Sequence, residues 1–310
     1  MRTLGPAQKD IAFGSFVGPL PRIDWGAAAT TRALRGKRWI WLGLACKEAW
    51  LSLAIVRTGY AANVLAFVYD HGARAMVVDK TIVAPAFTAH VTDDAHAPGL
   101  LARFDFAGSH VAFERSGPDL EVRARLGGID LEVLCDESVA PLGVAAIADL
   151  GGGLRNATEK RALMSVRGRF AASGRSYALE GATAGWDYTN GLLPRHTKWR
   201  WAFGLGRDLA FNLVEGFVGE AECALFADGA VHPLAEPRFT FDRTRPSDPW
   251  RIEADGIDLR FEVGEVHAQY TNLLLVRSHF LQPVGHFHGT IAGRTVADLP
   301  GVVEDQDVLW

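Results

Sequence analysis

Cysteine is scarce in this chain: Cys46, Cys135 and Cys223 are the only three in 310 residues. They are odd in number, far apart and without CxxC or zinc-ligand spacing. That argues against a disulfide framework or a structural zinc site and for reduced, mostly buried thiols. A basic surplus is also missing. The formal charge is -4, so the sequence has no electrostatic footprint for a nucleic-acid partner, and none is expected. Long apolar runs are absent. The greasiest stretch, residues 39–69, is interrupted by Lys47, Glu48, Arg57 and Asn63, which excludes it as a membrane span. Residues 1–21 show no continuous apolar segment ahead of a small-residue cleavage site, so the expected compartment is the cytoplasm. No G-x-S-x-G elbow, P-loop or H-E-x-x-H occurs. Gly204-Leu-Gly206 lacks the third glycine and the following helix of a dinucleotide site. Nucleotide-driven chemistry is thereby excluded, and no cofactor is expected.

What is present is a globular composition, 48% hydrophobic and 22% charged, in a chain long enough for two domains. Residues 1–29 are rich in glycine and proline and suggest an irregular arm over the first domain. Beyond them, apolar and polar residues alternate in short runs separated by turn signals. Trp39 and Trp41 alternate with Arg38, Ile40 and Leu42. His110–Arg115 and Leu120–Leu126 flank the turn Ser-Gly-Pro-Asp as a hairpin would. Residues 45–57 contain good helix formers, but the alternation favours a strand there. Around 141–155 the pattern dissolves into small residues and the triplet Gly151-Gly152-Gly153, taken as a boundary between domains at 1–150 and 151–310. Many short strands and little helical periodicity predict an all-β barrel or sandwich architecture.

Residues 181–206, GATAGWDYTNGLLPRHTKWRWAFGLG, concentrate the chemistry: Asp187, Tyr188, His196 and three tryptophans, Trp186, Trp199 and Trp201. Tryptophan and tyrosine combine an apolar face with a polar tip, as the wall of a greasy pocket with a few directed hydrogen bonds requires. The same aromatics would also fill a barrel core, with Asp187 bonded to amides at a turn. A carboxylate in a poorly solvated pocket suits a general acid, which makes Asp187 the candidate proton donor and Tyr188 and His196 its positioning partners.

Further along, His279, Gln282, His286 and His288 fall in one segment. His286 and His288 share a strand face, the spacing of two metal ligands or of two solvated imidazoles. Glu304 either closes one end of a barrel or is a solvated acid beside Asp305. Glu222, among alanines on an expected strand, would need a partner if buried, and Arg200 is the candidate. The residues expected to line a ligand site are Trp186, Trp199, Trp201, Glu222, His279, Gln282, His286 and Glu304. No metal is assigned.

The blocks KRWIW, LAIVRTGYAANVLAFVYD, GWDYTNGLLPRHTKWRW, FNLVEGFVGEAE and the tail from LLVRSHFLQPVGHFHGTIAG to VVEDQDVLW resemble a bacterial family known only as domain of unknown function 2804, from about residue 37 to 310. RGRFAASGRSYALEGATAGWDY with the later WRW is similar, more distantly, to the carotenoid 1,2-hydratase and AttH-like proteins. That similarity implies two lipocalin-like (calycin-like) antiparallel β domains in tandem around a ligand cavity. The chain departs from its family's usual Glu-Asn at Glu222-Cys223, and from a His or Val at Gln306. Two functions are implied. One is binding of a hydrophobic small molecule of the lipid, isoprenoid or pigment kind; the other is cofactor-independent hydration or cyclisation with Asp187 as general acid.

Overall fold

The computed structural model describes residues 2–3, 12–273 and 276–310, and nearly all of them are strand or turn. In the first sheet, β1 (Arg2–Thr3) and β2 (Gly14–Val17) precede a short helix α1 (Ala29–Arg35). Then follow β3 (Gly36–Ala45), β4 (Ala49–Thr58), β5 (Ala61–Asp70), β6 (Ala75–Pro85), β7 (Ala89–Val91) and β8 (Gly99–Phe106). The sheet continues through β9 (Ser109–Ser116), β10 (Asp119–Leu126), β11 (Ile129–Asp136), β12 (Val144–Gly151), β13 (Leu154–Ala172), β14 (Arg175–Tyr177) and β15 (Thr183–Leu192). The second sheet holds β16 (His196–Leu205), β17 (Leu209–Glu215), β18 (Ala224–Ala227), β19 (Ala230–Pro233) and β20 (Arg238–Thr240). β21 (Trp250–Ala254), β22 (Ile257–Leu273), β23 (Val276–Ile291) and β24 (Arg294–Leu309) complete it. The first sheet curls into a nearly closed barrel and the second into a half-barrel, the expected lipocalin-like pair.

Both sheets follow one plan. The first runs β6-β5-β4-β3-β15-β13-β11-β10-β9-β8-β7 and the second β19-β18-β17-β16-β24-β23-β22-β21-β20. In each, the opening long strand (β3 or β16) pairs with the closing one (β15 or β24), and the remaining strands meander outward on both sides. The glycine triplet 151–153 is therefore not where the sheets part. It turns the hairpin between β12 and β13, and the chain leaves the first sheet only between Leu192 and His196. Small residues around 141–155 reflect a tight hairpin, not a linker.

Strands β3 to β5 explain how the sheets pack. Ile40, Leu42, Leu51, Leu53, Val64 and Ala66 point into the barrel core. Their alternates Trp41, Trp50, Ala54, Leu65 and Phe67 point the other way and join Trp201, Phe203 and Phe211 of the second sheet in a separate core. Side chains alternate across a strand, so a strand apolar at every position must be covered on both faces. The expected strand within 45–57 forms from Ala49 onward, while 46–48 turn the hairpin between β3 and β4. Of the expected N-terminal arm, β2 adds to β12 as an antiparallel edge and Leu20 donates its N–H to Glu159 at 2.7 Å; residues 4–11 lie outside the described part. Residues 274–275 of the expected strand 272–280 do so as well.

Candidate functional site

Where the two sheets face one another they leave a cavity of about 380 Å³. Its walls are Trp39, Trp41, Trp199 and Trp201, with β4 and β5 on one side and β22 to β24 on the other. The indoles of Trp39 and Trp199 stack at 6.0 Å across the sheets, and Trp41 meets Trp201 edge-on at 4.9 Å. In each sheet the two tryptophans form a W-x-W pair on one strand, so both rings of a pair face the cavity.

The charged groups of the wall, Lys160, Asp187, Glu222 and Glu304, gather at one end. Lys160 on β13 lies directly across from Asp187 on β15. Its ammonium donates to Asp187 Oδ1 at 2.5 Å, Thr158 Oγ1 at 2.6 Å and Glu222 Oε2 at 2.8 Å. Three donors thus meet three acceptors. Burial works against the Lys160 charge, and the two carboxylates outweigh it and raise its pKa. Burial raises the pKa of Glu222, an effect that Lys160 opposes. Asp187 Oδ2 accepts the Trp39 indole N–H at 3.1 Å.

The second sheet repeats this arrangement. Glu304 on β24 accepts the Trp199 indole N–H at 2.7 Å on Oε1 and the Gln282 amide at 2.7 Å on Oε2. Trp39, Asp187 and Lys160 on β3, β15 and β13 correspond to Trp199, Glu304 and Gln282 on β16, β24 and β23. In both, the tryptophan reaches diagonally to the carboxylate: Trp39 faces Thr189 and Trp199 faces Gln306. An amide stands where the other sheet has an ammonium. Burial pushes the Glu304 carboxyl up to about 7; the hydrogen bonds from Gln282 and Trp199 oppose the rise, and the charges of Asp187 and Asp305 add to it.

Three buried polar atoms on the cavity wall have no partner among the described residues: Trp41 Nε1, Asn63 Oδ1 and Gln282 Oε1. An unpaired buried polar atom costs roughly 1–3 kcal/mol.

The cavity collects Asp187, Trp199, Trp201, Glu222, Gln282 and Glu304 from the expected residues and leaves out the others. Trp186 and Tyr188 flank Asp187 on the opposite strand face, inside the barrel core. There they donate to Glu137 at 3.0 Å and to the Thr92 carbonyl at 2.8 Å. His196 is exposed and contacts Asp307 at 2.8 Å. His279 stands edge-on to Tyr270 at 4.8 Å, and His286 packs against His71 at 5.1 Å. Among the described residues no cluster of His, Cys, Asp and Glu could hold a metal. Glu222 ends a 3-10 turn (Gly219–Glu222) and not a strand, and its partner is Lys160. Arg200, the expected partner, contacts Glu215 at 2.9 Å and Asp305 at 3.5 Å. At the Glu222-Cys223 departure, the Cys223 thiol, pushed up to about 12 by burial, accepts the Val214 N–H at 3.3 Å. Burial also pushes the Cys135 thiol up to about 12, and all three cysteines are free and buried.

Sequence reasoning missed Lys160, Trp39 and Trp41. Lys160 sits in the charged triplet Glu159-Lys160-Arg161, which reads as a solvated face. The repeated W-x-W, at 39–41 and 199–201, was the available signal for the tryptophans.

Over residues 5–310 the chain matches the family described as Domain of unknown function (DUF2804). It is a member of that family. Several solved structures share the fold of this DUF2804 protein at low identity. Kievitone hydratase from Nectria haematococca is 10% identical with a TM-score of 0.53, covering 92% of this chain and 93% of its own. An AttH-type protein from Nitrosomonas europaea is 11% identical with a TM-score of 0.58, covering 98% of each chain. CghA is 11% identical with a TM-score of 0.52, covering 88% of each. No curated protein matches the sequence. Among the described residues no helix is long and apolar enough to cross a membrane.

Proposed function

We propose that this DUF2804 protein binds a hydrophobic small molecule, of the lipid, isoprenoid or pigment kind, in the cavity between its two sheets. The observation that carries the reading is the cavity itself: four indoles wall about 380 Å³, with the charged residues gathered at one end. A mostly apolar space with a few convergent polar atoms is the usual form of a small-molecule site. Polar side chains on the wall, among them Asn63, Gln282 and Gln306, supply the directed contacts. Native mass spectrometry of the purified protein, followed by solvent extraction, tests this. A stoichiometric apolar ligand is expected; a protein that is empty and takes up no apolar compound from a mixed lipid extract refutes it.

A specific observation favours a second reading, an enzyme of the hydratase or cyclase type. Burial pushes the Glu304 carboxyl up to about 7, which suits a group that holds a proton near physiological pH and passes it to a ligand. Asp187 is ion-paired with Lys160, whereas the partners of Glu304, Trp199 and Gln282, are neutral, so Glu304 replaces Asp187 as the proton donor in this reading. The fold shared with kievitone hydratase agrees with it. Once a ligand is identified, Glu304→Gln retains binding and loses turnover; turnover that survives the substitution removes the role.

A further inference from the structure

Four neighbouring strands of the first sheet begin or end together beside the cavity. Strand β3 starts at Gly36, β4 ends at Thr58, β5 starts at Ala61 and β6 ends at Pro85. Pairing sets these termini side by side: Lys37 faces Thr58, Arg57 faces Ala62 and Ala61 faces Pro85. Three connections emerge at this end. They are helix α1 ahead of β3, the Gly59-Tyr60 turn between β4 and β5, and a 3-10 turn (Ala86–Thr88) after β6. Helix α1 lies against the middle one, since a Cβ placed on Gly59 would meet the Ala33 carbonyl. Tyr60 and Val83 line the cavity and are also 46% and 60% exposed, so the cavity opens here.

The side chains presented at the opening are apolar. Leu34 on α1 is 68% exposed, and Phe87 in the 3-10 turn, at 87%, is the most exposed of the large apolar residues described. Each of the three connections thus holds out one large apolar side chain, and Val83 on β6 adds a fourth. Exposed apolar groups gathered in one place mark an interaction surface.

The charge at this end has one sign. Residues 29–38, 57–62 and 81–88 contain no aspartate or glutamate and carry Arg32, Arg35, Lys37, Arg38 and Arg57. Arg32 donates to the Ala27 carbonyl, and Arg38 to the Asn190 side chain and the Val91 carbonyl. Among the described residues no carboxylate lies within ion-pair distance of these four arginines. Like charges act on one another instead. After burial, Arg35 lowers the pKa of Lys37 and Arg38 that of Arg57. The acids of the flanking segments are already taken: Asp93 by Arg22, and Asp307 by His196 and Lys198.

We infer that this end docks on the surface of an anionic lipid bilayer, with Phe87, Leu34 and Tyr60 entering the headgroup layer and the arginines meeting the lipid charges. Apolar area buried in the interface and attraction to anionic lipid add together in such binding. A second copy of this chain is a poor occupant, because a two-fold contact would bring the same unpaired arginines face to face. The opening then faces the bilayer, and an apolar molecule passes between membrane and cavity without crossing water. Docking goes beyond the ligand-binding reading and is measured without any ligand, so either can fail alone.

The test is co-sedimentation of the full chain with vesicles of phosphatidylcholine alone and of equal parts phosphatidylcholine and phosphatidylserine. The wild type is expected to partition at least about ten-fold more strongly onto the anionic vesicles, and to lose that preference as salt is raised. Phe87→Ser, on a fully presented side chain, is expected to weaken binding about ten-fold. Arg32→Gln with Arg35→Gln removes two charges and is expected to weaken it about twenty-fold on anionic vesicles only. Melting temperatures equal to wild type show that these variants are folded; should either fail to fold, the wild-type comparison of the two vesicles decides. Equal or absent sedimentation with both vesicles, or binding that neither variant weakens, overturns the proposal. A wild type that ignores vesicles but forms dimers dissolved by Phe87→Ser gives this end to a second copy and overturns it as well.

Discussion

Lys160 ties the two sheets together, and its removal makes the sharpest stability prediction. The ammonium on β13 of the first sheet grips Asp187 of that sheet and Glu222 of the second. Lys160→Met keeps the length of the side chain and leaves two buried carboxylates facing each other without a cation. Breaking a buried pair by deleting one partner costs about 3–5 kcal/mol, a large share of the roughly 5–15 kcal/mol that stabilises an ordinary domain. The loss depends on pH in a definite direction. Burial already raises the pKa of Glu222 in the presence of Lys160; without the ammonium it rises further above its unfolded value. A folded state that binds the extra proton gains stability as pH falls, because the slope of unfolding free energy with pH follows the difference in bound protons. Urea denaturation of wild type and variant at several pH values measures this. The gap is expected to be widest above neutrality and to shrink toward the ordinary carboxylate range, and Glu222→Gln added to Lys160→Met is expected to narrow it at high pH. A loss under about 1 kcal/mol that stays flat from acid to neutral pH would refute the reasoning, since the cluster would then be solvated.

Three other outcomes are open to measurement. The folded pKa of Glu304, about 7, lies above its unfolded value, so its contribution is fully present below the unfolded pKa and is lost as pH rises through 7. Glu304→Gln is therefore expected to be more stable than wild type by roughly 3 kcal/mol above that range and to match it near pH 4; melting curves that run parallel across pH exclude this. Gln282→Lys places an ammonium beside Glu304, as Lys160 stands beside Asp187, and the Glu304 titration followed by infrared carboxyl bands should move below 7; a titration that stays in place breaks the equivalence of the two sheets. At Gly185 an added methyl would meet the Phe203 ring and the Arg161 carbonyl, so Gly185→Ala is expected to cost about 1–3 kcal/mol by forcing the sheets apart, read from its denaturation midpoint, and an unchanged midpoint means the interface is looser than described.

Fold class was legible because the alternation that defines a strand is written locally. Strand β10, Asp119–Leu126, buries every second residue, and its charged alternates signalled the wet face directly. The parting of the sheets was not legible. It depends on which distant strand completes which sheet, and β13 and β15 join the first sheet by pairing with strands far back in the chain, β11 and β3. The focal stretch 181–206 turned out to hold the crossing itself: β15 belongs to one sheet and β16 to the other, so a short segment supplies both walls of the cavity. Period two then sorts its residues. Asp187, Trp199 and Trp201 face the cavity, while Trp186 and Tyr188 are turned into the barrel core. Composition alone counts all five as one aromatic, acidic cluster.

The two sheets carry one piece of geometry in two chemical states. A W-x-W strand pairs with a strand bearing a carboxylate, and the indole reaches diagonally to that carboxylate in both. The third position separates them: Lys160 neutralises one site, and Gln282 leaves the other with hydrogen bonds but no charge. An ammonium and a carboxylate in contact give a fixed polar anchor that also joins the sheets. An amide beside a buried carboxyl gives a group whose proton is exchangeable near neutral pH. One duplicated plan thus yields a structural half and a responsive half, and the Gln282 oxygen left without a partner lies in the responsive one. Any chemistry or pH-dependent release by this cavity is therefore expected from the Glu304 side, while the Asp187 side holds the sheets at the spacing that keeps the cavity open.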